Sequence, residues 1–372
     1  MIIILTQCFP PRIGGIENLV ENLSFELSNT HDVLVLADQN DNKKDKLYDN
    51  NLKKKLVIKR ISGIKFLRKR KKLSELKKLL VNKKVSCVIG DSWKSFELTI
   101  DSINLSFVNT ICLAHGNELI IKNTRHRSRV ISVMNKISHI VCNSKFTINL
   151  VKKIGVTNKN ISCIYPGVQN NINLSEQVIK NLNGKPILMT LARLEKRKGH
   201  KFILSAIAKL KNEYPKIQYV IAGSGIELQN LEKLVIDLDI VDNVIFLGNI
   251  NNNQKNYLFK KTNLMVMPTS YEPTDRSVEG FGISYLEAAF YGIPSIASNV
   301  GGTPEAVLHN KTGLIISDIS ELDSILKNIL SDNERLKKLG QNAKTRAERY
   351  FLWNNIIKDY LKIINKIDRK NQ

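Results

Sequence analysis

Short apolar segments alternate with amphipathic segments along nearly the whole chain. HDVLVLA, VSCVIGD and FVNTICLAHG are typical of buried strands, and the segments between such strands include helices with one apolar face. Because a crossover between parallel strands needs a connection about as long as a helix, this alternation predicts parallel sheets with helices on both faces. We therefore expect an α/β fold.

The length of the chain favours two domains. At 372 residues the chain exceeds what one hydrophobic core usually supports, and its 42% share of apolar residues is enough for two cores. Residues 168–184 are polar and rich in Asn, as in a connector. We expect a first domain at 1–167, a second at 168–350 and a C-terminal helix within 351–372. The apolar residues at helical spacing in that tail are Trp353, Ile356, Ile357, Leu361 and Ile364.

Two glutamates flank a glycine-rich turn in the segment from Met267 to Glu305. Gly280-Phe281-Gly282 follows Glu279, and because glycines are unfavourable inside a helix, Glu279 is predicted to lie on a loop. The apolar spacing that starts near Ile283 predicts a helix that carries Glu287. The free N–H groups in the first turn of that helix suit a ligand with many hydroxyls or a negative charge.

Three other turns carry residues suited to phosphate. The loop after the strand KPILMTL presents Arg193, a planar fork of donors, and Lys198, a point charge, just before a helix. Gly14-Gly15 and Gly223-Ser224-Gly225 each lie between a strand and a helix, where the backbone can approach a ligand closely. His115 ends a predicted strand, at the edge where ligands of such sheets collect.

Together these motifs resemble the retaining GT-B glycosyltransferases of family 4. The likeness lies in Glu279-Gly280-Phe281-Gly282-Ile283 with Glu287 (E-x7-E), in Arg193 through Lys198-Gly199 (R-x4-KG) and in the FPP-x-x-GG entry. The segments FPPRIGGIE and VEGFGISYLEAA are similar in sequence to segments of bacterial phosphatidylinositol mannoside mannosyltransferases. The resemblance implies two Rossmann-like domains facing across a cleft, the first for the acceptor and the second for the nucleotide-sugar donor. It also implies that the C-terminal helix crosses back to the first domain.

The resemblance further implies a reaction. A hexose of the mannose or glucose type would pass from GDP-mannose or a UDP-hexose to a lipid-linked or envelope-glycan acceptor, with retention at the anomeric carbon. No metal or other cofactor would be needed, and the product would belong to cell envelope polysaccharide biosynthesis. The catalytic residues implied by the resemblance are His115, Arg193, Lys198 and Glu279. The donor-binding residues implied by it are Gly14, Gly15, Gly223, Gly225, Gly280, Phe281, Gly282, Ile283 and Glu287.

Each of these residues has a role by analogy with the family. Arg193, Lys198 and the Gly14-Gly15 amides would take the charge of the diphosphate, as a departing anion requires. Glu279 and the backbone that follows it would hold the hydroxyls of the sugar. Glu287 would accept from the ribose hydroxyls, and His115 would lie beside the donor sugar.

The net charge of +23 calls for an anionic partner or reflects a general compositional bias. The basic residues crowd between Lys65 and Lys84, where Leu67, Leu73, Leu76, Leu79 and Leu80 form an apolar stripe. This pattern predicts a basic amphipathic helix that binds an anionic membrane surface, and it equally fits a core-packed helix with a solvated lysine face.

Cysteine usage and hydropathy predict a cytoplasmic location. The five cysteines lie in separate apolar segments without metal-ligand spacing, as expected of reduced core thiols. No apolar run is long enough to span a bilayer, and Met1 to Thr6 lacks the features of a signal peptide. We expect the protein in the cytoplasm, with peripheral association at the inner face of the membrane.

Four other readings compete with this one. The two glutamates also suit a glycosidase, whose two carboxyl groups flank the scissile bond. A GT-B epimerase or phosphorylase would share the same cleft. A basic nucleic-acid-binding protein would use the same charge, although no zinc spacing or aromatic RNA-binding motif is present. NAD binding is weakly supported, because Leu228 stands where the third glycine of the fingerprint belongs.

Overall fold

The computed structural model describes residues 1–52, 56–271 and 277–368, with side chains described through residue 366. Parts of two predicted segments lie outside the described residues: 272–276 of the glycine-rich segment and 369–372 of the tail. The chain divides into two compact units. The first comprises Met1–Gly167 together with the chain from Trp353 onward, and the second comprises Val168–Leu352.

The first unit contains a seven-stranded parallel sheet in the order β3-β2-β1-β4-β5-β6-β7. Its strands are β1 (Ile2–Thr6), β2 (Val33–Asp38), β3 (Leu56–Ile61), β4 (Cys87–Gly90), β5 (Asn109–Ala114), β6 (His139–Cys142) and β7 (Ile161–Cys163). Its helices before the second unit are α1 (Gly15–Ser28), α2 (Asn42–Asn50), α3 (Lys65–Asn82), α4 (Trp93–Phe96), α5 (Ile100–Leu105), α6 (Thr124–Asn135) and α7 (Lys145–Lys153).

The second unit contains a six-stranded parallel sheet in the order β10-β9-β8-β11-β12-β13. Its strands are β8 (Ile187–Leu191), β9 (Gln218–Ala222), β10 (Val244–Gly248), β11 (Leu264–Met267), β12 (Ser295–Ser298) and β13 (Gly313–Ile316). Its helices are α8 (His200–Leu210), α9 (Leu228–Asp237), α10 (Asn252–Lys261), α11 (Ile283–Phe290), α12 (Thr303–Ala306), α13 (Leu322–Ser331) and α14 (Asn333–Tyr350).

Helix α15 (Trp353–Asp368) follows the second unit in the chain but packs on the first. Successive residues of β1 face opposite sides of their sheet, so that Ile3 and Ile2 enter two different cores. The side containing Ile2 also receives Trp353 and Tyr360 from α15, which contacts α1. Each large apolar side chain buried in this way stabilises the fold by about 1.5–3 kcal/mol, so α15 is an integral part of the first unit.

One prediction about local structure is wrong. The composition of the segment from Asp38 to Leu52, which is rich in Asp, Asn and Lys, predicts an exposed loop, but most of the segment forms α2. The Asp41 side chain caps that helix by accepting from the N–H groups of Lys43 and Lys44. Asp45 is buried and lies 3.6 Å from Arg60 of β3. Arg60 also pairs with Asp49 at 2.7 Å, so local capping and two ion pairs to one arginine order a segment whose composition is typical of a loop.

The basic segment forms α3, but the C-terminal part of its apolar stripe packs in the protein core. Leu76 is fully buried, Leu79 and Leu80 are partly buried, and all three pack in the core of the first unit. Phe66 and Leu67 at the start of the helix are 55% and 46% exposed. Among the described residues, no helix is long and apolar enough to span a membrane.

Candidate active site

The centre of the candidate site is the carboxylate of Glu279, on the loop before α11. Its Oε2 atom accepts two charge-assisted hydrogen bonds, from Lys198 Nζ at 2.6 Å and from Arg197 Nη1 at 3.0 Å. All three side chains are nearly inaccessible, with exposures of 14% for Glu279, 9% for Lys198 and 6% for Arg197. Arg197 also pairs with Glu195 at 3.1 Å, so the two acids balance the two buried cations, and the exposed Arg193 supplies the surplus positive charge at this corner of the second unit.

The two cations keep Glu279 ionised. Burial by itself raises the pKa of the Glu279 carboxyl, but the charges of Lys198 and Arg197 and their hydrogen bonds outweigh burial and lower that pKa to about 2. Burial also lowers the pKa of Lys198, an effect that Glu279 partly reverses. Lys198 therefore depends on this contact, because without Glu279 its charge would be buried without a paired acid, whereas Glu279 without Lys198 would keep its hydrogen bond to Arg197.

The loop that carries Lys198 is held by the turn between β9 and α9. A Cβ atom at Gly223 would overlap the Ala192 carbonyl oxygen, and one at Gly225 would overlap that of Leu194. Leu194 also donates its N–H to the Ser224 carbonyl at 3.0 Å. Protein backbone thus occupies the space that these two glycines leave open. Their predicted donor-binding role remains a prediction, and their evident role is to position the loop.

A second glycine turn fixes the backbone of Glu279. Gly302 donates its N–H to the Glu279 carbonyl at 2.9 Å, and a Cβ atom at Gly301 would overlap the same oxygen. Gly301 also has φ +64, a conformation that side chains disfavour. The two-glycine turn after β12 therefore permits the close approach that holds the glutamate.

The first turn of α11 lies directly after this loop, as the glycine spacing predicts. Gly282 is the N-cap residue with φ 97, and no side chain caps this end of the helix. Gly280 and Ile283 are partly exposed, whereas Phe281 is 1% exposed and packs against Phe351. Of the predicted donor-binding segment, Phe281 can therefore offer a ligand only its backbone.

Arg193 does not contact Glu279. Its side chain is 64% exposed and pairs with Glu195 at 2.8 Å, and Glu195 in turn pairs with Arg197 at 3.1 Å. Sequence reasoning missed Arg197 because the R-x4-KG spacing points to Arg193. The only available signal was the position of Arg197 beside Lys198 in the basic loop.

Glu287 is held by Lys255, a lysine that no sequence motif points to. Lys255 of α10 donates to Glu287 Oε1 at 2.8 Å, and the side chains of both residues are less than one-fifth exposed. The second oxygen of Glu287, which is fixed in this way, can accept hydrogen bonds from hydroxyl groups. The predicted ribose contact stays a prediction.

In the first unit, the start of α1 already has an anion beside it. The buried carboxylate of Glu17 lies against Gly14 and pairs with Arg12 at 2.8 Å. A carboxylate at this position satisfies the positive end of the helix, so a diphosphate at Gly14 and Gly15 would compete with it. Their proposed contact with the donor therefore stays a prediction.

His115 follows β5 and is oriented by two backbone contacts. The Nε2 atom of its ring lies 2.7 Å from the Asp91 carbonyl oxygen. The backbone N–H of His115 donates to Glu118 Oε1 at 2.6 Å. Because a carbonyl oxygen only accepts, Nε2 is the donor in this contact. The half-buried His115 is thus a fixed side chain, and its catalytic role stays a prediction.

Comparison with solved structures defines the class of fold. The chain matches Anabaena HepE in complex with UDP (TM-score 0.80, 17% identity) over 98% of this chain and 99% of the other. It matches sucrose-phosphate synthase from Thermosynechococcus elongatus (TM-score 0.81, 19% identity) over 98% of both chains. With two parallel α/β sheets and these neighbours, the predicted GT-B fold is confirmed.

Comparison with family models identifies the family. The model described as Glycosyltransferase Family 4 matches residues 13–171, and the one described as Glycosyl transferases group 1 matches residues 172–346. The chain belongs to glycosyltransferase family 4. The predicted family and the predicted enzyme class are confirmed.

Curated relatives match over part of their length. The GDP-mannose-dependent alpha-(1-6)-phosphatidylinositol monomannoside mannosyltransferase of Mycobacterium tuberculosis is 30% identical over 47% of this chain and 46% of its own. The GDP-mannose-dependent monoacylated alpha-(1-6)-phosphatidylinositol monomannoside mannosyltransferase of Corynebacterium glutamicum is 32% identical over 45% of this chain and 44% of its own. The matched region therefore spans about half the length of these relatives.

Proposed function

We propose that the protein transfers a hexose from a nucleotide-diphosphate sugar to a lipid-linked or envelope-glycan acceptor. The observation that carries this proposal is the buried Glu279 carboxylate held by Lys198 and Arg197 beside the uncapped first turn of α11. A sugar diphosphate presents both hydroxyls and negative charge, and this arrangement offers an acceptor for the former and donors for the latter.

The cations stabilise the charge that develops on the leaving diphosphate. Breaking the bond between the anomeric carbon and the phosphate leaves a cation-like sugar and an additional negative charge on the diphosphate. Lys198 and Arg197 are fixed before the reaction, so that little reorganisation is needed when that charge appears. The exposed Arg193, which pairs with Glu195, adds a fork of donors on the same loop.

Glu279 is suited to hold the sugar and unsuited to protonate a leaving group. A glycosidase requires one carboxyl group whose pKa is raised so that it can act as an acid. The two cations instead hold the pKa of Glu279 at about 2. An ionised Glu279 accepts hydrogen bonds from sugar hydroxyls and cannot be the acid that the glycosidase alternative requires.

We further propose a retaining, metal-independent reaction. In this scheme the departing phosphate accepts the proton of the attacking acceptor hydroxyl, and no side chain serves as an obligate nucleophile. The family resemblance supports this scheme. The donor is GDP-mannose or a UDP-hexose, supported by the mannosyltransferase relatives and by a HepE structure in complex with UDP-glucose.

The proposed acceptor brings the protein to an anionic membrane surface through α3. The exposed Phe66 and Leu67 at the start of the helix replace the buried leucines as its apolar contacts, and Arg70 and Lys71 beside them are exposed. Co-sedimentation with vesicles of phosphatidylglycerol should exceed that with neutral phosphatidylcholine vesicles. Equal binding to both, or binding to neither, would refute this contact.

A thermal-stabilisation screen with nucleotide sugars tests the donor site. At a hundredfold excess over its Kd, a bound donor stabilises the folded state by about 2.7 kcal/mol. We expect one donor to raise the Tm of wild type and of the control Lys233→Met, an exposed position on α9. The same donor should have little effect on Lys198→Met. Stabilisation that is the same in all three proteins would refute the site.

Product identification then tests the reaction. With membrane lipid extract, the selected donor should yield a lipid or glycan longer by one hexose. Release of free sugar, of a sugar phosphate or of an epimerised nucleotide sugar would contradict transfer and favour a hydrolase, a phosphorylase or an epimerase respectively.

A further inference from the structure

The first unit has a cationic cavity that the donor chemistry does not use. It has a volume of about 360 Å³ and lies where the chain leaves the carboxyl ends of β1, β2 and β4. Thr99 and Ser95 lie on one wall, and Asp38 is the acid that lines it. Its cations are Arg12, Lys65, Arg68, Lys69, Lys72 and Lys94.

The innermost part of the cavity is a shared ion pair. Asp38 lies 2.6 Å from Lys72 Nζ and 3.3 Å from Arg68 Nε, so one carboxylate faces two cations. Lys72 is buried and also donates to the Thr6 carbonyl at 2.7 Å. This arrangement fixes the floor of the cavity and leaves Arg68 only partly neutralised.

The rim carries a larger surplus of positive charge. Glu97 is shared in the same way, between Lys69 at 2.6 Å and Arg129. Lys65 and Lys94 are exposed and have no acidic partner among the described residues. At least two cations are therefore available to a ligand, and the concave surface concentrates their field.

We infer that this cavity binds a phosphate group of the acceptor. A phosphate monoester carries a charge of about −1.5 to −2 at pH 7 and has several acceptor oxygens, which matches two free ammonium groups and a partly neutralised guanidinium. The inference rests on the proposed function, since it assigns a charge to the acceptor of that reaction. The phosphate belongs either to a lipid headgroup or to a water-soluble ester.

Titration calorimetry with glycerol 3-phosphate tests the cavity directly. We expect saturable binding to the full chain, weakened about tenfold or more by Lys94→Glu. The matched control is Lys77→Glu on α3, which makes the same change of charge at an exposed position outside the cavity. The control should change the Kd less than twofold.

Two further comparisons make the result decisive. Absence of binding, equal weakening by Lys94→Glu and Lys77→Glu, or weakening only by Lys198→Met would overturn the inference, the last because it would place the anion in the second unit. Competition of glycerol 3-phosphate with phosphatidate in detergent micelles would assign the phosphate to a lipid headgroup. Binding of the soluble ester without binding of such micelles would assign it to a soluble acceptor.

Failure of this inference is separable from failure of the proposed function. Stabilisation by a nucleotide sugar depends on Lys198 and should persist in Lys94→Glu. If the donor still stabilises that variant while glycerol 3-phosphate binds nowhere, only the acceptor phosphate is refuted.

Discussion

Replacing Glu279 with glutamine should expose how strongly the buried cations depend on it. The pKa of this carboxyl falls from an ordinary value of 4.5 to about 2, a difference that corresponds to about 3 kcal/mol. Because the folded protein lowers the pKa, ionisation of Glu279 stabilises the fold above pH 4.5, and this contribution is lost as the pH falls toward 2. At neutral pH the wild-type protein has the full contribution.

The size of the effect can be separated from simple loss of packing by a double-mutant cycle. Glu279→Gln leaves Lys198 buried against a neutral amide, which should cost about 3 kcal/mol. Lys198→Met removes the other partner and leaves Glu279 with Arg197 alone. The double variant should be more stable than the sum of the two single losses predicts, by about 2 kcal/mol.

Urea unfolding followed by far-ultraviolet circular dichroism measures these free energies. Both tryptophans, Trp93 and Trp353, lie in the first unit, so their fluorescence reports separately that this unit remains folded. A coupling energy below about 0.5 kcal/mol would refute the reasoning, because the two charges would then not depend on each other.

Three further predictions follow from the same site. Gly301→Ala should destabilise the fold and reduce hexose transfer by displacing Glu279. The control Gly248→Ala, also at φ +64 but with open space around it, should lower the free energy of unfolding by only about 1 kcal/mol. Equal losses of unfolding free energy in urea would contradict this prediction. Arg193→Ala should lower the free energy of unfolding by less than about 1 kcal/mol, because its ion pair is exposed, and Arg197→Ala should lower it by about 3 kcal/mol, because its pair is buried. Urea unfolding measures both values, and the reverse order would refute the assignment. Glu287→Gln should raise the KM for the donor with little change in kcat in steady-state assays, and a fall in kcat alone would argue against a binding role.

Much of the fold follows from the periodicity of the sequence. Buried strands such as β1 and β5 are continuous apolar runs, and the helices between strands have one apolar face, so the parallel sheets could be predicted from it. Periodicity predicted α15 as a helix, whereas its packing on the first unit was implied by the family resemblance. The helix α2 could not be predicted, because its stability comes from the cap by Asp41 and from the ion pairs of Arg60 with Asp45 and Asp49 rather than from an apolar face.

The parts of the site that depend on backbone conformation could be predicted from the sequence. The glycines around Glu279 determine which residues lie on a loop and where α11 begins, and both features are visible in the sequence. Side-chain direction is a different matter. Nothing in the spacing shows that Arg197 turns toward Glu279 while Arg193 is exposed, or that Lys255 reaches Glu287 from another helix.

The sequence also did not show that the protein's own side chains and core would occupy two features predicted to bind a ligand or a membrane. The glycines at the start of α1 suit a phosphate, yet Glu17 occupies that position. The leucines of α3 suit a membrane, yet the core of the first unit buries Leu76. In both cases a contact within the folded protein occupies a sequence feature that, taken alone, is typical of ligand or lipid binding.

A crystal structure of the protein with its preferred nucleotide sugar would test the central claim most directly. We predict diphosphate oxygens within hydrogen-bonding distance of the loop that carries Arg193 and Lys198, and sugar hydroxyls at Glu279 and the first turn of α11. A nucleotide sugar bound with its diphosphate away from that loop, or with no sugar contact to Glu279, would contradict the account.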